Sequence, residues 1–233
     1  MTKINRRAFY ACYNLTRIKI PSSVLEIGLE AFKYCYKLVE ICNDSNVDLK
    51  KLNKNNNNFY GIDYVKNLYS STEGNSNLLV QDNYVIYNDG ENKLIVNYIG
   101  QEKELTLPLG VNEINDWAFA ELDFIKKITI SSNILIIKDR AFYNCILLTN
   151  INIPNSVKYI GKKAFDSCVM LEEIKIANSV EFVGAAAFNA CWGILIECEF
   201  SSQPQGWHND WNHKGLTIGG VGQYFDVIWK VKE

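Results

Sequence analysis

Histidine is almost missing from this chain. The 233 residues hold two, His208 and His213, both within Gly206-Trp207-His208-Asn209-Asp210-Trp211-Asn212-His213. A Cys-His or Ser-His catalytic pair would have to borrow one of them. Neither a G-x-S-x-G elbow nor a phosphate loop stands in the chain. Ile218-Gly219-Gly220-Val221-Gly222 lacks the spacing of a dinucleotide fingerprint and reads as a tight turn. The seven cysteines include no close pair of the C-x-x-C kind, which excludes the usual zinc sets. His208, Asp210 and His213 could approach a metal, but no third strong ligand set lies near them. The chain therefore reads as no enzyme, with no metal and no cofactor.

Charge of one sign is also lacking. Twenty-four basic side chains against 26 acidic ones leave a net charge of -2, too little to draw the chain broadly to nucleic acid or to an anionic membrane. No apolar run approaches the roughly 18 residues of a membrane span. Met1-Thr2-Lys3-Ile4-Asn5-Arg6-Arg7 has no apolar stretch behind its charges, so no signal peptide is expected at this start. Hydrophobic residues at 48% and charged residues at 21% are those of an ordinary folded chain.

What the chain does have is a repeat. An Ala-Phe pair recurs at Ala8-Phe9, Ala31-Phe32, Ala118-Phe119, Ala141-Phe142, Ala164-Phe165 and Ala187-Phe188, with a step of 23 residues except across the gap from Ala31 to Ala118. Cysteine follows three positions later at Cys12, Cys35, Cys145, Cys168 and Cys191, with Leu122 once in its place. Alternating isoleucines come next (Ile18/Ile20, Ile128/Ile130, Ile151/Ile153, Ile174/Ile176), then Pro-x-Ser-Val at Pro21 and Pro154, then Ile-Gly at Ile27-Gly28 and Ile160-Gly161. Leu148-x-x-Ile151-x-Ile153 has strand periodicity, and Pro154 closes that strand. Val157 to Gly161 is expected to turn the chain back, with Gly161 taking angles that other residues avoid. Ala164-Phe165-x-x-Cys168 fits a short helical turn. One such unit cannot bury its own apolar face, so copies must stack, aligning their strands in a parallel sheet. The cysteine column is expected to hold buried free thiols rather than disulfides, because parallel Cβ vectors keep neighbouring Cβ atoms too far apart to bridge.

The frame L-x-x-I-x-I-P-x-S-V-x-x-I-G-x-x-A-F-x-x-C resembles the BspA-type leucine-rich repeats of bacterial and protozoal surface proteins, over residues 4 to 43 and 105 to about 200. The resemblance implies a repeat solenoid: a parallel β-sheet on the concave face, short or helical turns on the other, and one β-hairpin insert. The expected organisation is a solenoid over residues 1–200 and a C-terminal cap over 201–233, the latter carrying Trp207, Trp211 and the strand-like run from Tyr224 to Trp229. The insert spans 43–104, includes the run Asn55 to Asn58, and holds a hairpin at about 84–99 around Asp89-Gly90. Ile4 to Phe9 matches Ile160 to Phe165, so the chain starts halfway through a copy, as though cut from a longer protein. The last copy slips by a residue, putting Glu197 and Glu199 where isoleucines are expected.

Side chains alternating with the buried apolar positions should face solvent on the concave sheet. They are Arg17, Lys19, Thr106, Lys126, Lys127, Thr129, Asn150, Asn152, Glu172, Glu173 and Lys175, a stripe that passes from basic through neutral to mixed acidic. This stripe is the candidate ligand-binding surface, and Tyr60, Tyr64, Tyr69, Tyr84 and Tyr87 of the insert form a second. By resemblance, the function expected is a non-catalytic protein-binding or adhesion module of a surface-exposed or secreted protein, its partner a host, matrix or cell-surface protein, or a glycan. The alternative is an intracellular interaction scaffold, cytoplasmic if Met1 is the true start.

Overall fold

A computed structural model of the chain describes residues 1–51, 58–216, 222–224 and 226–230. Asn55 to Asn57, the stretch Ile218 to Val221 and the side chain of His213 lie outside the described residues. The chain divides into two compact units, one of residues 1–79 and 87–89, the other of 80–86 and 90–233.

In the first unit, β1 (Lys3–Ile4) pairs in parallel with a strand 23 residues on, and the same is true of β2 (Arg17–Ile20). The partners are β3 (Glu26–Ile27) and β4 (Glu40–Asn43), and β5 (Asn67–Tyr69) then pairs with β4. Ile41 matches Ile18 across the ladder, and Ile4, Ile20, Ile27, Phe32, Leu38 and Ile41 share one core. β5 lies in a stretch whose periodicity is not legible. Val65 N–H donates to the Ile62 carbonyl as Leu38 N–H does to that of Cys35, so Asn58 to Tyr69 is a shortened copy that repeats the turn without repeating the residues.

β6 (Leu78–Gln81) and β7 (Tyr84–Asn88), of which residues 80–86 belong to the second unit, run side by side with β8 (Lys93–Tyr98). Asp82 and Asn83 between the first two both have positive φ, 48° and 66°, as a two-residue hairpin turn with the right twist requires. β7 and β8 are the hairpin expected at about 84–99, and β8 continues into the solenoid by parallel pairing. The copies then supply β9 (Glu104–Thr106), β10 (Glu113–Ile114), β11 (Lys127–Thr129), β12 (Ile136–Ile137), β13 (Asn150–Asn152), β14 (Tyr159–Ile160), β15 (Glu173–Ile176), β16 (Phe182–Val183) and β17 (Leu195–Cys198). One sheet runs β6-β7-β8-β10-β12-β14-β16; the odd-numbered strands form the other wall, β9-β11-β13 and β15-β17. β18 (His213–Leu216) and β19 (Gly222–Tyr224) pair antiparallel, and β20 (Val227–Trp229) adds in parallel to β17.

Each copy thus gives two strands where one was expected. Tyr159–Ile160 is a strand, not part of a reversal. Gly161 is needed for a different reason too. Its φ is not positive, but a Cβ built on it would come within 2.5 Å of the Asp139 backbone nitrogen in the preceding copy. The requirement is close stacking of one copy on the next rather than conformational freedom.

The expected helical turn at Ala-Phe-x-x-Cys is also corrected, for no helix occurs among the described residues. Lys163 and Ser167 flank the segment at φ 56° and 66°, and every Ala-Phe pair is bracketed in the same way by two non-glycine residues of positive φ. Such residues end a right-handed helix at once. The amides therefore alternate: Ala164, Asp166 and Cys168 donate within the turn, while Lys163, Phe165 and Ser167 donate to Ala185, Ala187 and Asn189 of the next copy. The segment is wall, bonded from copy to copy like a strand.

The rings of Phe119, Phe142, Phe165 and Phe188 stack 5.2, 5.2 and 5.4 Å apart, nearly parallel. Trp211 meets the last of them edge-on at 6.0 Å and is fully buried, with Trp207 against it. All seven cysteines are free. Four of the column do more than fill space: Cys35, Cys145, Cys168 and Cys191 donate from Sγ to the carbonyls of Phe9, Phe119, Phe142 and Phe165, at 2.9 to 3.2 Å.

The slip in the last copy is absorbed by register. Ile174 faces Ile196 and Ile176 faces Cys198, a step of 22, so the interior seats stay apolar and Glu197 turns outward beside Lys175.

Candidate binding face of the strands

Alternation along the strands places the stripe's strand residues outward, and Lys126 and Glu172, just before their strands, are exposed as well. Arg17 and Lys19 are exposed on β2 of the first unit; the other nine lie in the second unit, all exposed except the half-buried Thr129. Their neighbours follow from the ladders. Glu104, Lys127 and Asn150 form one transverse row, and Thr106, Thr129 and Asn152 the next. Lys126 and Glu172 precede β11 and β15, where their backbones carry the copy-to-copy bonds through Thr149. Glu173 and Lys175 stand opposite Leu195 and Glu197.

Two clefts open on these faces. In the second unit, Lys175, Glu197, Cys198, Glu199, Ile228 and Lys230 line one of about 450 Å³. Lys175 Nζ lies 3.2 Å from Glu197, whose carboxylate raises the lysine pKa chiefly by hydrogen bonding. In the first unit, Arg17, Lys19, Cys42 and Tyr69 line one of about 340 Å³ together with Ser71 and Ser76. Here the chain covers part of its own face. The loop from Ser70 to Asn77 lies over β4 and is held by two carboxylates.

Glu40 accepts from Asn77 N–H, from Ser76 Oγ at 2.6 Å and from Asn67 Nδ2 at 3.2 Å, and is fully buried. Asp44 accepts from Ser71 N–H at 2.7 Å and from its hydroxyl at 2.8 Å, and pairs with Lys19 at 3.1 Å. Those donors pull the Asp44 pKa down to about 2, the Ser71 amide first. Lys19 is raised in turn by the same carboxylate, and Cys42 beneath the loop is raised by burial.

Glu40 and Cys42 belong to this face and were missed. Glu40 lies one period after Arg17, which is the signal that could have found it; the second copy has Ile41 and Asn43 where the frame has two isoleucines, so its strand did not stand out. The second expected surface is corrected. Tyr60, Tyr84 and Tyr87 are buried, and Tyr64 and Tyr69 half-buried. Tyr60 packs in the core of the first unit beside Phe59, and Tyr84 in that of the second. His208 is engaged locally, its Nδ1 accepting the Asp210 N–H at 3.0 Å. Among the described residues no three of His, Cys, Asp and Glu are grouped so as to hold a metal ion, and no helix is long and apolar enough to cross a membrane.

Among solved structures the chain resembles a leucine-rich cell surface protein of Faecalibacterium prausnitzii A2-165, with a TM-score of 0.52, 23% identity, and coverage of 84% of this chain and 45% of that one. It also resembles a leucine-rich repeat protein of Eubacterium ventriosum ATCC 27560, with a TM-score of 0.50, 22% identity, and coverage of 85% and 46%. The chain spans less than half the length of either, and these likenesses concern the fold. No curated protein matches the sequence. The BspA type leucine-rich repeat region matches in six copies, over residues 1–77 and 97–205. The chain belongs to the BspA-type leucine-rich repeat family.

Proposed function

We propose that this chain is a non-catalytic protein-binding module of a surface-exposed or secreted protein, and that it binds through the outward strand face of its second unit. The observation that carries the reading is the pair of rows Glu104-Lys127-Asn150 and Thr106-Thr129-Asn152, polar side chains, all exposed but the half-buried Thr129, that backbone ladders hold in register. Such a face is preorganised: the strands fix the spacing, so a partner's cost of ordering the site is small. Solenoids generally use extended faces in this way. The mixed charges give it specificity for a complementary protein surface more than raw affinity. A surface location is favoured by the likeness to the Faecalibacterium prausnitzii protein, which is a leucine-rich cell surface protein.

The test is an array of purified matrix and cell-surface proteins probed with the chain and with its quadruple charge reversal, Lys126→Glu, Lys127→Glu, Glu172→Lys and Glu173→Lys. A specific partner should be bound at least tenfold more weakly by the variant. Binding that survives the reversal removes this face from the reading.

A further inference from the structure

Five tyrosines of the first unit form a cluster of touching rings. Tyr10 and Tyr34 meet edge-on at 5.1 Å, Tyr13 stacks parallel on Tyr36 at 5.8 Å, Tyr34 lies 5.9 Å from Tyr36, and Tyr64 meets Tyr36 edge-on at 5.5 Å. The period builds the cluster: Tyr13 and Tyr36 both follow the column cysteine directly. Tyr10, Tyr13 and Tyr34 remain 38%, 45% and 39% exposed, which is unusual for rings that already touch one another. The Arg7 guanidinium sits 4.9 Å over the Tyr10 ring and the Lys33 ammonium 5.3 Å over that of Tyr34.

The geometry decides what kind of partner fits. Ring faces are largely taken, by neighbouring rings and by the two cations, so a sugar ring that needs an open aromatic face finds little. What is left outward is ring edges and phenol hydroxyls, the amphipathic rigid surface that protein interfaces favour. Charge narrows the choice. The two cations over the rings, Arg7 and Lys33, keep 48% and 36% of their side chains exposed, although the chain as a whole is net negative at -2. Glu30 is shared between Arg7 and Lys33, at 2.6 and 2.5 Å, so one carboxylate serves two cations. We propose that this tyrosine cluster is a docking surface for an acidic segment of a protein partner, separate from the strand face.

The probe is a fluorescent 4:1 glutamate–tyrosine random copolymer titrated into the full chain, with a 4:1 lysine–tyrosine copolymer and chitohexaose alongside. The acidic copolymer should bind, more weakly as salt rises, and the lysine copolymer should not. Tyr10→Ser with Tyr34→Ser should weaken binding at least tenfold while far-UV circular dichroism and melting stay unchanged. Lys33→Glu, which keeps every ring, should weaken it severalfold and guards against a folding artefact. Lys126→Glu with Lys127→Glu should leave it unaltered, so this result does not depend on the strand face. The proposal is overturned if the acidic copolymer does not bind, if both copolymers bind alike, if binding follows Lys126 and Lys127 instead, or if the tyrosine variants lose chitohexaose rather than the copolymer.

Discussion

The Cys168 thiol donates a hydrogen bond to the carbonyl oxygen of Phe142, 3.2 Å away in the preceding copy. That same carbonyl also accepts the Cys145 amide, so its two lone pairs are both used. The one gap in the column, Leu122, falls in the copy that follows the hairpin, which carries no Ala-Phe pair. Cys168→Ala should cost about 1–3 kcal/mol, from a small cavity and an under-satisfied buried carbonyl. Urea unfolding would read this as a lower midpoint at unchanged slope.

Burial also keeps the thiols protonated, pushing Cys35 up to about 11, Cys198 to about 12 and Cys168 well above its ordinary value. The folded state therefore binds these protons more tightly than the unfolded chain. Stability should be level below the ordinary thiol value of about 8.5 and fall as pH rises through 9 toward 12. Chemical denaturation in that range checks the slope, and absent alkylation of Cys35, Cys168 and Cys198 in the native chain at pH 8 checks the cause.

Gly161 and Ala190 should respond against ordinary expectation. Ala190 has φ 56°, so Ala190→Gly should stabilise by up to about 1 kcal/mol, where a helix would lose about that much. Gly161→Ala should destabilise by roughly 1–3 kcal/mol, because its methyl would enter the backbone of the copy before it. Melting of the two variants distinguishes a wall of left-handed corners from the helical turn.

How far the sequence could be read follows from these cases. The step of 23, the phase of each buried residue and the exposed strand stripe follow from spacing alone, since alternation decides which face a side chain takes. The second strand at Tyr159–Ile160 was hidden because two residues are too few for a period to show. The left-handed corners were hidden because they fall on Lys163, Ser167, Ala186 and Ala190, none of them a residue that announces the conformation. Burial of Tyr60, Tyr84 and Tyr87 was illegible because these residues fall outside the 23-residue frame, so no phase assigns them a face.

Asp44 should hold the loop over β4 in a pH-dependent way. Its folded pKa, about 2, lies below the ordinary carboxylate value, so the stabilisation is present above about pH 4 and is lost as pH falls through 2. Hydrogen exchange at the Ser71 amide should accelerate over that range, and Asp44→Asn should show the faster rate already at neutral pH.

We propose that residues 201–233 cap the second unit, with Trp211 closing the phenylalanine stack. Trp211→Ala should then cost about 3–5 kcal/mol and expose Phe188. Binding of an apolar dye to the variant but not to the native chain would register the opened end.

The alternating amide pattern of the corners carries a consequence for inheritance. Within the second unit, the amides of Lys163, Phe165 and Ser167 bond to the copy that follows, and a Cβ on Gly161 would meet the copy before. No copy depends on one farther away through these bonds, so an in-frame crossover between two copies removes or adds a whole one and leaves each remaining junction of the usual kind. The extent of the exposed strand face is therefore a trait that a lineage can lengthen or shorten by recombination, without first revising the residues that hold a copy together.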